Sequence, residues 1–160
     1  TTDDTALSGY AALATELCEI EEPFDLFIPT SSGTTAQALA QYFIENKKEI
    51  RVHVVQTTCC HPIATALGAT TDAQDVPSLA TAIVDRVAHR KRAVADAIEK
   101  TGGKGWIITN NEIQEAQLLV QEETGISLSP ASALSFAAIM QAKKQGYEFK
   151  GGVVALITGK

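Results

Sequence analysis

Short continuous apolar runs alternate with segments of helical spacing along this chain. Phe24–Ile28 follows Pro23 as a short apolar strand. Arg51–Gln56 (RVHVVQ) is rich in β-branched residues and predicts a buried strand. Gly105–Ile108 and Ile126–Leu128 predict two more short strands, and Val153–Thr158 (VVALIT) a last one. Around them, Ser8–Cys18 carries Ala11, Ala14, Leu17 and Cys18 at helical spacing, with Leu7 just before it. Gln37–Asn46 predicts a helix ended by the polar ENKKE run. Thr57–Leu67 turns through Cys-Cys-His-Pro into a short helix, and Gly68–Ser78 is the longest loop signal. Lys91–Lys100 is helical up to Gly102-Gly103. Thr109-Asn110-Asn111-Glu112 is a capping-box pattern that opens a helix to Glu123, stopped by Gly125. Ser129-Pro130 supplies a cap and a first-turn proline for a helix to Gln145.

Strands that are apolar throughout rather than alternating belong to a parallel sheet covered by helices on both faces. The expected fold is therefore α/β, a Rossmann-like three-layer sandwich, with residues 1–160 forming a single domain. Ligands in such sheets sit beyond the carboxyl ends of the strands. The turn Thr30-Ser31-Ser32-Gly33-Thr34-Thr35 leaves one strand at that edge, and Thr158-Gly159 leaves another.

Composition narrows the function classes. A net charge of −6 and a pI near 5.0 give no electrostatic footprint for nucleic acid. The densest basic run, Arg86–Arg92, is interrupted by Val87, Ala88 and His89, and is expected to be a solvated helix start. No apolar run reaches the roughly 18 residues of a membrane span, and the polar start resembles no signal peptide. Cys18, Cys59 and Cys60 make neither a CxxC pair nor a disulfide frame. A cytoplasmic location is expected. Met140 is the only methionine and the chain opens on Thr1, the pattern expected of a piece of something longer.

A strand-to-helix turn of small residues presents N–H groups at a positive helix end, which suits a phosphate or carboxylate. Ser31, Ser32, Thr34 and Thr35 add hydroxyls. The chain has no GxGxxG with a following acidic residue, no GK[ST] and no GxSxG. Dinucleotide binding, a nucleotide P-loop and a serine nucleophile elbow therefore lack support. Anion binding and an ordinary polar connection both remain open on the turn alone.

The order of motifs adds to this. "SGYAALATEL", "FDLFIPTSSGTTAQAL", "HPIATAL", "SLATAI", "ITNNEIQEAQLLVQEETGISLSPASALSFAAI" and "VVALITG" succeed one another in a way that resembles the fold type II pyridoxal-phosphate enzymes. Within them the order is most similar to threonine synthase, over nearly the whole chain but only the C-terminal part of that family's. The resemblance implies pyridoxal phosphate as cofactor, an amino-acid substrate and lyase chemistry. It makes the turn the cofactor-phosphate loop, with Ser31, Ser32, Gly33, Thr34 and Thr35 where the family usually has Gly-Asn-Gly-Gly-Thr. Two glycines are replaced, and glycine permits positive φ and close backbone approach. Thr158 matches the residue whose hydroxyl faces the pyridine nitrogen.

The family's Schiff-base lysine lies in a Ser/Lys motif of its N-terminal domain, and no such motif occurs here. Lys47, Lys48, Lys91, Lys100, Lys104, Lys143, Lys144 and Lys150 fall on polar helix ends or in turns, away from the strand-end site; Lys160 is in the tail. The expectation is thus a C-terminal fragment of a threonine-synthase-like lyase (O-phosphohomoserine to threonine in the parent). Its partner would be a missing N-terminal domain, the chain alone would be inactive, and exposed apolar surface would favour a homodimer. A non-catalytic anion-binding module, a split enzyme, and a threonine dehydratase- or cysteine synthase-like parent are the alternatives. Elsewhere, Cys59-Cys60-His61 is expected to be a structural turn rather than a metal site. His53 is expected in the core or at an edge of the sheet, Trp106 packed rather than stacked on a cofactor, and His89 in solvent, while Ser129 and Ser132 could line the pocket.

Overall fold

A computed structural model describes residues 9–21, 23–73 and 76–158. The expectations for Leu7, Ser8, Gly159 and Lys160 lie outside the described residues. The elements in chain order are α1 (Ala11–Leu17), β1 (Phe24–Pro29), α2 (Thr34–Glu45), β2 (Ile50–Thr57) and α3 (Pro62–Ala66). Then come α4 (Lys91–Thr101), β3 (Gly105–Ile108), α5 (Asn110–Thr124), α6 (Pro130–Lys144) and β4 (Gly152–Ala155). The strands form one parallel sheet in the order β3-β2-β1-β4, the doubly wound α/β sandwich that the apolar strands imply.

β1 and β2 are central, which explains their composition: each buries side chains on both faces. Phe24, Leu26 and Ile28 of β1 join Val52 and Val54 of β2 against Ala14, Leu39, Phe43, Val94 and Ile98. Phe27 and Val55 point the other way, into a second core with Ile113, Ala116, Leu134 and Ala138 of α5 and α6. Successive strand residues face opposite sides, so one apolar run feeds two cores.

Local chemistry closes the helices. Thr109 accepts a hydrogen bond from the Glu112 N–H while the Glu112 carboxylate accepts from the Thr109 N–H, and Gly125 ends α5 in the left-handed region. The Ser129 hydroxyl caps α6, accepting from the Ser132 N–H, with Pro130 in the first turn.

Three boundaries differ from the sequence pattern. Residues 126–128 form no strand, because no ladder partner reaches them; Leu128 is buried and its carbonyl accepts from Gln117 Nε2. β4 stops at Ala155, since after Leu156 N–H donates to the Phe27 carbonyl the chain leaves the ladder. α2 starts at Thr34 rather than Gln37, so Thr34 and Thr35 belong to the first helical turn and the connection shortens to Thr30–Gly33.

Candidate functional site

In this strand order the direction of winding reverses between β1 and β4, a topological switch point. The connection leaving β1 and the segment leaving β4 both emerge at the carboxyl edge there. Thr158 follows Leu156, which is still tied to Phe27. The Ser135 hydroxyl on α6 donates to the Phe27 and Leu156 carbonyls, so α6 holds the two strand ends side by side.

Gly33 is the cap residue of α2, with φ +93° and ψ 0°. It offers no side-chain acceptor, and the first helical bond runs from Gln37 N–H to the Gly33 carbonyl. The N–H groups of Thr35 and Ala36 thus point out of the helix end without a cap, unlike those of α5 and α6. A Cβ on Gly33 would lie 2.6 Å from Val94 Cγ2 and 3.0 Å from Ile63 Cδ1. Glycine is required both by the left-handed backbone and by the close approach of α3 and α4. Residues 29–36 and Ile83 line a depression of about 200 Å³. That volume takes a phosphate group and lies below the roughly 300 Å³ at which whole-ligand clefts begin. A depression of about 550 Å³ beside α5 is larger, but Gln114, Gln117, Leu118, Gln121, Ser127 and Leu128 bring it no ionisable group.

The hydroxyls of the turn divide their work. The Ser31 hydroxyl accepts from the Val84 and Asp85 N–H groups, so it fastens the 83–88 segment over the turn. Ser32 and Thr34 hydroxyls are 3.2 Å apart, and Thr30 Oγ1 donates to the Ile28 carbonyl. The basic run sits nearby. Arg90 Nη1 donates to Gln37 Oε1, which brings a guanidinium to the early turns of α2. The helix proper begins only at Lys91. Because α4 runs back against β3, its amino end shares the carboxyl side of the sheet with the turn. Lys91 is therefore on the site's edge, contrary to its expected remoteness. Lys48, Lys104 and Lys150 precede strands, and Lys100, Lys143 and Lys144 end helices, so these lie at the opposite edge as expected.

Gln56, which the sequence pattern does not single out, underlies the turn. It is fully buried, donates from Nε2 to the Thr30 and Ser31 carbonyls at 3.2 and 3.5 Å, and accepts at Oε1 from the Ile63 and Ala64 N–H groups, both at 2.9 Å. Its one signal in sequence is a polar residue inside an otherwise apolar strand.

The same kind of signal marks Asp25 and His53. Burial pushes the Asp25 carboxyl up, but hydrogen bonds from His53, from Arg51 and from the Lys150 N–H outweigh it and bring the pKa down to about 2. His53 Nδ1 accepts from the Lys104 N–H and Trp106 Nε1, so its proton is on Nε2, which donates to Asp25 at 2.7 Å. Burial lowers its pKa, and the carboxylate opposes this without reversing it. His53 also stacks on Phe27. This group lies at the amino half of the sheet, away from the turn, and braces the fold. Trp106 is packed beside it, His89 is exposed, and Cys59–His61 form a turn closed by bonds between Thr57 and Cys60. Among the described residues no three His, Cys, Asp or Glu side chains gather as a metal site needs, and no helix is long and apolar enough to cross a membrane.

The profile of the pyridoxal-phosphate dependent enzyme family matches residues 1–159, and the chain belongs to that family, whose cofactor is pyridoxal phosphate. Cysteate synthase of Methanococcoides burtonii is 43% identical over 68 residues, 41% of this chain and 16% of that protein. Cysteate synthase of Methanocella paludicola is 36% identical over 66 residues, with the same shares. A pyridoxal 5'-phosphate-dependent aspartate racemase superimposes with a TM-score of 0.78 at 19% identity, covering 99% of this chain and 50% of its own. The processed form of threonine deaminase isoform 2 from Solanum lycopersicum gives 0.76 at 15%, covering 96% and 45%. At those identities the likeness is one of fold. The chain spans about half the length of these solved structures and 16% of the curated relatives.

These findings correct one expectation. The reading as a C-terminal fragment of a threonine-synthase-like lyase, partnered by a missing N-terminal domain, does not stand. The family match extends across essentially the whole chain, and these relatives are a synthase for cysteate, a racemase and a deaminase. The physical reason is that the motifs relied on are a strand-to-helix turn, helix caps and a strand end. Such local features specify a fold that many reactions share.

Proposed function

We infer that the turn from Ser31 to Thr35 binds the phosphate of pyridoxal phosphate, with Thr158 at the ring nitrogen, and that the chain takes part in pyridoxal-phosphate chemistry on an amino acid. The observation that carries this is the amino end of α2: a left-handed Gly33 without a side-chain cap, at the switch point of the sheet, facing a phosphate-sized depression. A helix end favours an anion by roughly 0.3–1 kcal/mol, and charge-assisted hydrogen bonds add to it. N–H groups of Thr35 and Ala36 and hydroxyls of Ser32 and Thr34 supply the donors, with Arg90 adding positive charge close by. Ser31 contributes through its backbone, because its hydroxyl already holds residues 84 and 85.

When bound, the cofactor supplies an electron sink for carbanions formed next to an amino-acid nitrogen. A neutral threonine hydroxyl at the ring nitrogen accepts or donates a hydrogen bond without supplying a formal charge. The relatives named above act on amino acids by their names, which supports an amino-acid substrate. The residues described here bind and orient the cofactor, and we read residues 1–160 as one domain built for that task.

Titration of the chain with inorganic phosphate, followed by amide chemical shifts, tests the site. Residues 31–36 should shift, with millimolar affinity. The exposed Lys143 and Lys144 at the end of α6 are the control for non-specific attraction. The Arg86–Arg92 segment is not, because it adjoins the turn. Shifts at 31–36 no larger than those at the control would sink the assignment.

A further inference from the structure

We propose that Gln56 is a positioning residue for the cofactor phosphate: its buried amide aims the N–H groups of the turn by anchoring the carbonyls on their other side. This rests on the phosphate reading above. Four hydrogen bonds use the amide's two donors and two acceptor sites, which is its full capacity. The carbonyls of Thr30 and Ser31 are drawn inward toward Gln56. A trans peptide is planar, and its N–H points opposite to its C=O. Anchoring the Thr30 and Ser31 carbonyls therefore directs the N–H groups of Ser31 and Ser32 away from Gln56, outward from the sheet. One side chain thus sets the direction of two backbone dipoles.

The other half of the amide reaches the wall of the same site. Oε1 holds the N–H groups of Ile63 and Ala64, the first turn of α3. Ile63 is, with Val94, one of the two side chains that approach Gly33. The amide therefore fixes the turn and its neighbouring wall together, with no direct contact to the anion required. Glutamate could accept from Ile63 and Ala64 but would face two carbonyls with no donor. Methionine would match the length and lose both sides.

The test uses the 160-residue chain, inorganic phosphate, and the variants Gln56→Glu and Gln56→Met, with amide shifts for affinity and urea unfolding for stability. Phosphate affinity at residues 31–36 should fall roughly tenfold or more in both variants, from the loss of the two anchoring hydrogen bonds. In the unmutated chain, saturating phosphate should shift the Gln56 side-chain amide signals and slow hydrogen exchange at Ile63 and Ala64. Unchanged affinity in Gln56→Met, with only the urea midpoint lowered, would make Gln56 a structural residue and overturn the proposal. Weakening in Gln56→Glu alone would be a charge effect and would overturn it too. If neither variant folds, the unmutated chain decides: Gln56 signals that ignore phosphate while residues 31–36 respond refute positioning and leave the phosphate site standing. Silence at residues 31–36 in the unmutated chain removes the site itself, and this inference with it.

Discussion

Valine at position 33 tests whether the turn is built around glycine. Two costs add. A left-handed backbone at φ +93° costs an L-residue about 1–2 kcal/mol. The new Cβ meets Val94 Cγ2 at 2.6 Å and Ile63 Cδ1 at 3.0 Å, and both side chains are fully buried with nowhere to retreat. Overpacking of that kind costs about 1–3 kcal/mol. The sum, about 2–5 kcal/mol, is a large share of the ~5–15 kcal/mol typical of a domain. With a urea slope of about 2 kcal/mol per molar, the unfolding midpoint should fall by about 1–2.5 M. Gly33→Ala carries the same backbone cost and the same Cβ without the two methyls, and should lie between valine and the unmutated chain. Phosphate-induced shifts at residues 31–36 should vanish in Gly33→Val under conditions where it remains folded. A midpoint within about 0.3 M of the unmutated chain, together with unchanged phosphate shifts, would refute the argument from close approach and left-handed backbone.

Acid stability should depend on the Asp25 cluster. The Asp25 carboxyl titrates near 2 in the fold against 3.8 unpaired, so it contributes about 2 kcal/mol above pH 4, lost as the pH falls toward 2. His53 acts in the same direction from pH 6.5 downward, because the unfolded chain takes up its proton first; urea midpoints from pH 7 to 2.5 should decline in both intervals. Tyr147, raised to about 12, should cost stability between pH 10 and 12, where only the unfolded phenol ionises. Asp25→Asn should lower stability by roughly 3 kcal/mol at pH 7 by leaving the mostly buried Arg51 cation uncompensated, and should abolish the decline below pH 4. Thr109→Ala should cost about 1 kcal/mol through the capping box, measurable in urea. Ser129→Ala should cost a similar amount and leave the phosphate shifts intact, since Ser129 acts as the cap of α6.

Local rules made much of the architecture legible in the chain itself. Thr109 with Glu112, Gly125, and Ser129-Pro130 fix helix ends through contacts within a few residues. FDLFIP and RVHVVQ are apolar enough to demand burial on both faces, which selects a parallel sheet. The family was legible for a similar reason, since it was carried by the order of local motifs along the chain, each readable within a few residues. The order β3-β2-β1-β4, and with it the switch point beside the turn, came only from tertiary pairing. So did the failure of residues 126–128 to form a strand, because a strand needs a neighbour and not only a propensity. The start of α2 at Thr34 escaped the pattern because Gly33 can cap a helix without announcing it through a side chain. Asp25, His53 and Gln56 read as blemishes in apolar strands. Their partners lie 7 to 125 residues away. A buried polar group is satisfied by whatever the fold brings within about 3 Å, and no spacing along the chain encodes that distance.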